Sequence, residues 1–205
     1  MILRLFREVF QFFIPLLCLQ CREESPALVC KSCLAKIERP TFATQDPYYY
    51  GNYDGVLKEL IHQFKFENKF SLSPLFAQFL SEISTKDIDM IIPVPMHFKK
   101  LKIRKYNPSV LMAKDLSKHL KIPYHFDILK KVIDTPSQTE LSKTKRRHNV
   151  KGAYEVKNHM LIQGKKILLI DDVYTTGATV HECKRTLLKS GAHSVQVATL
   201  AKTMV

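Results

Sequence analysis

Runs of consecutive aliphatic residues alternate along this chain with longer stretches in which apolar residues recur every three or four positions. The clearest run, residues 167–170, has four aliphatic residues in a row, which is typical of a strand covered on both faces. The remaining strands are predicted at residues 48–50, 88–94, 128–133, 150–156 and 195–201, and helices at about 55–64, 73–83, 107–120 and 179–190. Because strands that alternate with helices favour a sheet between helical layers, we expect an α/β fold with a doubly wound, mainly parallel sheet flanked by helices.

Two Cys-x-x-Cys pairs precede this pattern, with eight residues between them. One such pair alone is also typical of a redox site, but two pairs supply the four thiolates that a tetrahedral Zn²⁺ site requires. We therefore predict a structural zinc site, with no coordination position left for water, formed by Cys18, Cys21, Cys30 and Cys33. Residues 1–41 are expected to hold an N-terminal helix and this zinc segment, and residues 42–205 the α/β domain. The remaining cysteine, Cys183, is predicted to be a buried core thiol.

The first residues of the chain are largely apolar, but Glu8 and Gln11 interrupt them and no small-residue cleavage site follows. No stretch reaches the roughly 18 apolar residues of a membrane span. We interpret this start as a helix that packs on the protein or on a partner, with a peripheral contact at the inner membrane as the alternative. Free cysteines at metal-binding spacing predict a reducing cytoplasm.

Positive charge is concentrated in one part of the sequence. The chain has 32 Lys and Arg against 19 Asp and Glu, and residues 96–151 alone contain 15 of the former against 4 of the latter. A regional excess of this size favours the binding of a polyanion, such as a pyrophosphate group, a nucleic-acid strand or both. The alternative is a solvated basic face. The candidate binding residues are Lys99, Lys102, Arg104, Lys105, Arg146 and Arg147.

The strand at 167–170 leads into the segment with the most informative chemistry. Two adjacent acids, Asp171 and Asp172, are followed by a turn of small, hydroxyl-rich residues at 175–179 that opens a helix. A helix N-terminus after such a turn favours a phosphate group, whereas carboxylates favour vicinal hydroxyls or a bound Mg²⁺. The combination predicts a phosphorylated sugar as the ligand, and an ordinary strand-to-helix turn is the alternative.

This segment closely resembles the phosphoribosyl pyrophosphate (PRPP) loop of type I phosphoribosyltransferases. The resemblance implies that Asp171 and Asp172 hold the ribose hydroxyls and that Mg²⁺ accompanies PRPP. It also implies that the 5′-phosphate is bound by Thr175, Thr176, Gly177, Ala178 and Thr179. Ligands in open α/β sheets lie beyond the carboxyl ends of strands, where we expect the loops at residues 95–107, 134–149 and 171–179.

The paired Cys-x-x-Cys motifs and the PRPP loop together identify the chain as a member of the ComF family of competence proteins, also called GntX-like. Further matching positions are Pro93-Val94-Pro95, Arg104 with Asn107, Gln138 with Leu141-Ser142, Arg146 with Asn149-Val150, and Gly152-Ala153-Tyr154. The family usually has Arg-Gly-Phe-Asn-Gln where this chain has Arg104-Lys105-Tyr106-Asn107-Pro108, so a glycine and a glutamine are lost. The resemblance implies a type I phosphoribosyltransferase-like fold and a role in natural transformation.

Three functional hypotheses follow. The first is a PRPP-binding cytoplasmic protein that handles imported single-stranded DNA, with His97, Phe98 and Tyr106 as candidate stacking surfaces among the lysines. The second is an active phosphoribosyltransferase or PRPP hydrolase that displaces pyrophosphate with Mg²⁺, its acceptor unknown. The third is a protein whose zinc segment docks on a DNA-uptake helicase or an inner-membrane pore subunit, with the ligand as a signal.

Overall fold

The computed structural model describes residues 16–40, 46–82, 87–135 and 150–204. Six strands lie in these ranges: β1 Tyr48–Asn52, β2 Met90–Pro93, β3 Leu129–Lys131, β4 Tyr154–Val156, β5 Lys166–Tyr174 and β6 Ser194–Lys202. The helices are α1 Lys31–Leu34, α2 Gly55–Phe66, α3 Ser73–Ser81, α4 Phe98–Arg104, α5 Pro108–Leu120, α6 His159–Ile162 and α7 Ala178–Lys189, with a 3₁₀ turn at Phe70–Leu72. The predicted N-terminal helix falls almost entirely on residues 1–15, outside the described ranges.

Four strands form a parallel sheet in the order β1-β6-β5-β2, which confirms the predicted mainly parallel sheet. In this register Ile170 of β5 lies between Ala198 of β6 and Pro93 of β2. Successive residues of β5 face opposite sides of the sheet. Leu168 and Ile170 pack into one core cluster, and Ile167 and Leu169 into the other. Because both faces are buried, residues 167–170 of this strand are all aliphatic.

Helices cover both faces of the sheet. The first face packs against α2, α3 and α5, and the zinc segment adds Cys18, Val29, Cys33 and Ile37 to the same cluster. The second face packs against α7, α6 and the short strands β3 and β4. Cys183 lies at the centre of the second cluster with no exposed surface, as predicted for a core thiol. Among the described residues, no helix is long and apolar enough to cross a membrane.

Several local predictions were wrong in detail. The strands expected at 128–133 and 150–156 are present but short, and they pair antiparallel with each other outside the parallel sheet. The loop that begins at Asp134 therefore leaves this small sheet instead of the main one. Gly51 lies inside β1, where a Cβ would approach the Glu38 carbonyl oxygen to 2.9 Å, so close packing favours glycine there.

Candidate ligand-binding site

A cavity of about 280 Å³ opens beyond the carboxyl ends of β2 and β5, and we refer to it as the ligand cavity. The ends of these two strands supply Val94–His97 and Asp171–Tyr174, while the turn into α7 supplies Thr175 and Gly177–Thr179. The start of α5 adds Asn107 and Ser109. The cavity is therefore at the position where open α/β sheets bind ligands, and it contains most of the predicted PRPP loop.

Two adjacent carboxylates form the floor of the cavity. Asp171 Oδ1 accepts hydrogen bonds from Ser109 Oγ at 3.1 Å and from the Asp172 backbone N–H at 3.0 Å. Asp172 Oδ1 lies 2.7 Å from Lys65 Nζ, an ion pair whose side chains are only 15% and 16% exposed. Burial and the neighbouring Asp172 charge raise the pKa of Asp171 to about 7, although Lys65 and these hydrogen bonds oppose the shift. The site thus holds one carboxylate that is paired with a lysine and one whose ionisation the surroundings oppose.

The turn after the acids is tightly packed against neighbouring side chains of the protein. Gly177 has φ 75°, in the left-handed region, and a Cβ there would collide with the Tyr174 hydroxyl and approach His181 Cδ2 to 2.8 Å. Helix α7 starts directly afterwards at Ala178, whose backbone N–H donates to Thr176 Oγ1 at 3.4 Å. Amide N–H groups at a helix N-terminus together with the helix dipole favour a phosphate. The turn thus lines the ligand cavity, and its binding of a phosphate stays a prediction.

Three lysines line the ligand cavity: Lys65 from α2, Lys100 from α4 and Lys131 at the end of β3. Lys131 Nζ donates to Thr135 Oγ1 at 2.7 Å, and burial and the nearby Lys100 lower its pKa. None of the three was singled out as a site residue from the sequence. Lys100 and Lys131 both lie in the basic stretch 96–151, but nothing local distinguished them from its other cations. No signal marked Lys65, which reaches the cavity from α2.

The cations proposed from the sequence as binding residues do not line the ligand cavity where the structure describes them. Lys99, Lys102, Arg104 and Lys105 lie on or at the end of α4, on the flank of the ligand cavity instead of in its lining. Lys99 Nζ is 3.2 Å from Asp134 Oδ2, while Lys102 and Arg104 lie over the rings of Phe98 and Phe66. Arg146 and Arg147 fall outside the described residues. We refer to the exposed cations Lys99, Lys102 and Lys105 together as the basic flank.

Of the three aromatic residues considered for stacking, only Phe98 is largely exposed, although His97 contributes to the lining of the ligand cavity. Tyr106 donates its hydroxyl to the Phe64 carbonyl oxygen and packs against the rings of Phe64 and Phe70. His97 is 4% exposed, whereas Phe98 is 56% exposed. Tyr106 is thus a core anchor, and Phe98 is the surface aromatic.

Asn107, which follows Tyr106, fixes the start of α5. Asn107 Oδ1 accepts from the Ser109 N–H as an N-cap, and Asn107 Nδ2 donates to the Val94 carbonyl oxygen, both at 3.0 Å. One side chain therefore starts the helix and ties it to the end of β2. Lys105 occupies the place of the missing family glycine with φ 66°, a left-handed conformation that costs a non-glycine residue about 1 kcal/mol.

The four cysteines of the zinc segment come together as predicted. Their Sγ atoms all lie within 4.8 Å of one another, and those of Cys21 and Cys30 are 3.7 Å apart. Tetrahedral Zn–S bonds of about 2.3 Å give S···S separations of about 3.8 Å, so the donor set fits zinc. Cys18 Sγ also accepts from the backbone N–H groups of Gln20 and Cys30. Burial would raise the pKa of Cys18, but backbone hydrogen bonds outweigh it and lower that pKa to about 6.

Comparison with known proteins first defines the class. The family model for the phosphoribosyl transferase domain matches residues 107–204, which contain the acid pair and its turn. Among solved structures, glutamine PRPP amidotransferase from Bacillus subtilis is similar with a TM-score of 0.43 and 19% identity, covering 63% of this chain and 26% of that one. The family match and the parallel sheet together define a phosphoribosyltransferase-like α/β domain, which a cluster of four cysteines precedes.

Relatives with longer matches then give the family. The chain is 36% identical over 165 residues to Competence protein F of Haemophilus influenzae, covering 74% of this chain and 70% of that protein. It is 30% identical to the DNA utilization protein YhgH of Salmonella typhimurium, covering 92% and 85% of the two chains, and to Competence protein ComFC of Bacillus subtilis, covering 89% and 75%. The chain belongs to the ComF family of competence proteins.

Proposed function

We propose that this protein binds PRPP in the ligand cavity and handles imported single-stranded DNA in the cytoplasm during natural transformation. The observation that carries the proposal is the composition of one cavity, which combines an acid pair, an anion-binding turn and three lysines. A sugar that carries phosphate groups at both ends is the ligand chemistry that uses all three. The names of the relatives support the process, since they refer to competence and to DNA utilization.

Each part of the ligand has a complementary part of the cavity. Asp171 and Asp172 would accept hydrogen bonds from the ribose hydroxyls, and the turn at 175–179 would bind the 5′-phosphate through its amides. Lys100 and Lys131 would face the pyrophosphate group. Mg²⁺ bound with PRPP would neutralise part of that charge. Lys65 would hold the Asp172 side chain in place, because its ammonium group already lies 2.7 Å from the carboxylate.

The basic flank supplies the second half of the proposal. Its cations are exposed beside the cavity, and cations that contact phosphates make strand binding strongly dependent on salt. We expect labelled single-stranded DNA to bind the zinc-loaded protein with an affinity that falls steeply as salt rises. The double variant Lys99→Ala, Lys102→Ala removes two cations of the basic flank and should bind more weakly, with a flatter salt slope. The double variant Arg146→Ala, Arg147→Ala, at positions outside the described residues, should have the same effect if these predicted cations also contact the strand.

Two titrations test the two halves separately. Calorimetry should show that Mg·PRPP binds more tightly than either ribose 5-phosphate or pyrophosphate, because each of these partial ligands fills only part of the cavity. Fluorescence anisotropy across a salt series, with and without Mg·PRPP, should show DNA binding and whether the ligand alters it. Absence of heat with Mg·PRPP contradicts the cavity assignment, and absence of DNA binding at low salt contradicts the strand assignment.

The same cavity supports an alternative function, pyrophosphate displacement from PRPP to an acceptor of unknown identity. It is favoured by the lysines around the expected pyrophosphate position, since fixed cations stabilise a departing anion. If the protein is an enzyme, wild type should release pyrophosphate in the presence of Mg²⁺ and a suitable acceptor, and Asp171→Ala should stop this while the protein stays folded. If wild type releases no pyrophosphate with any nucleobase or with water as the acceptor, the protein is not a catalyst of this reaction.

A further inference from the structure

A second cavity, of about 350 Å³, adjoins the ligand cavity on the side of α4. We call it the α4 groove, and its own walls are formed by Phe98 and Leu101 of α4, Val110 of α5, and Phe126 and Lys130. It shares a wall with the ligand cavity, formed by Pro95, Met96, Asn107 and Lys131. An occupant of the α4 groove would therefore lie next to a ligand in the ligand cavity.

The walls of the α4 groove are unusually apolar for a surface. Phe98 and Phe126 are each 56% exposed, and Leu101 is 40% exposed. All seven residues of α4 retain exposed surface, so this helix buries none of its apolar side chains completely. Large apolar side chains that converge on one exposed concave surface mark a binding site more often than a solvated one.

The charges around the groove select the kind of occupant. Lys130 and Lys131 line it, and Lys99 and Lys102 flank it on α4, with Lys102 Nζ 5.7 Å from the centre of the Phe98 ring. Aromatic faces bordered by cations are the combination that binds single-stranded nucleic acid, in which bases stack on rings while phosphates contact the lysines. The carboxylates of an acidic peptide would use the cations, but they carry no flat ring for the two phenylalanines, whereas every nucleotide supplies both a phosphate and a ring.

We propose that the α4 groove binds an unstacked nucleobase of a single-stranded nucleic acid, with the adjacent phosphates on the lysines around it. This inference rests on the proposed strand-handling function and adds to it where a base is held. Bases in a duplex are stacked and paired, so the groove would select single strands over duplexes. The shared wall places the bound base beside PRPP, so each ligand is expected to change the affinity for the other.

The test compares an intact oligonucleotide with one of equal length that lacks its bases, by anisotropy on the zinc-loaded full chain. Phe98→Ala and Phe126→Ala should each weaken binding of the intact strand about fivefold or more, the usual effect of losing one stacking contact. Neither variant should change binding of the abasic strand. Both residues are largely exposed, and thermal unfolding checks that each variant remains folded.

Phe66→Ala is the matched control. Phe66 is 60% exposed and has Arg104 over its ring, as Phe98 has Lys102, but it is not part of the α4 groove. The control should bind the intact strand as wild type does. An RNA strand of the corresponding sequence should bind with similar affinity, because a site that contacts only bases and phosphates does not contact the 2′-hydroxyl.

The outcomes separate this inference from the function on which it rests. If wild type binds no strand at low salt, the proposed strand handling is itself wrong. If wild type binds intact and abasic strands equally, or both groove variants retain full affinity, strand handling stands but the groove has another occupant, such as a protein segment. An equal loss in Phe66→Ala overturns the specific role of the groove.

Discussion

Replacing Asp171 by asparagine should stabilise this protein at neutral and alkaline pH while it damages the proposed ligand site. The Asp171 carboxyl is confined beside Asp172, and burial together with this like charge raises its pKa to about 7 from an ordinary value of 3.8. The native state therefore opposes the ionised form. Asparagine has nearly the same shape, and its Oδ1 can still accept the hydrogen bond from Ser109 Oγ. The substitution removes the charge and keeps most of the contacts.

The size of the stabilisation and its pH dependence follow from this shift in the pKa of Asp171. A pKa difference of about three corresponds to about 4 kcal/mol of native-state destabilisation at a pH above both values, which is an upper limit for a strongly interacting pair. We expect about half of it, roughly 2 kcal/mol, or a rise in Tm of about 4–8 °C at pH 8. Below pH about 4 the carboxyl is protonated in both states, so its contribution to stability is fully present. It is lost as the pH rises toward about 7, because the unfolded chain releases its proton first.

Urea unfolding of wild type and Asp171→Asn between pH 4 and pH 8 measures this difference directly. The advantage of the variant should be largest at pH 8 and should shrink steadily on acidification. Asp115→Asn is the control of opposite sign: despite partial burial, the hydrogen bond from Lys118 Nζ lowers the pKa of Asp115, so this variant should lose stability at pH 8. A variant at position 171 that is no more stable than wild type at pH 8 would refute the reasoning, as would an advantage that grows as the pH falls.

Three other outcomes can be measured with single variants. Lys105→Gly should raise the free energy of unfolding in urea by about 0.5–1 kcal/mol, because the backbone there is left-handed; a loss would mean that the lysine makes compensating contacts. Metal analysis should find about one zinc per chain. Cys33→Ser should lower this content and Cys183→Ser should not; equal content in both would contradict the four-cysteine site. Gly177→Ala should abolish Mg·PRPP binding in calorimetry and destabilise more than Gly164→Ala, since of these two positions only 177 lacks space for a Cβ. Equal effects at the two positions would contradict the crowded turn.

The parts of the fold that the sequence predicted well are those whose signal is local. The aliphatic run at 167–170 requires burial on both faces, and β5 indeed has a core cluster on each side. Asn107 before a proline predicted the start of α5, and its side chain caps that helix. Cysteine spacing predicted the cluster of four thiols for the same reason, since the ligands lie close together in the chain.

What could not be predicted depends on contacts between distant segments. Phe98 and Tyr106 are both aromatic residues in one basic stretch, yet one is exposed and the other is bound to the Phe64 carbonyl in the core. Lys65 and Lys131 reach the ligand cavity from α2 and β3, which precede the acid pair by many residues. Composition showed that residues 96–151 carry the positive excess, but it did not separate the cations that line the cavity from those on the basic flank.

Helix α2 connects the zinc segment to the ligand cavity. Gln63, which is 4% exposed, donates from Nε2 to the Leu19 carbonyl oxygen at 3.3 Å, and Lys65 pairs with Asp172. Residues two apart on a helix point to nearly opposite sides, so the zinc segment holds one side of α2 while the other side places an ammonium group beside the acid pair. Loss of zinc would release the first contact and with it the support for Lys65. A zinc requirement for ligand binding would therefore be expected even if the metal never touches the ligand, and such a requirement would not by itself locate the ligand at the zinc segment.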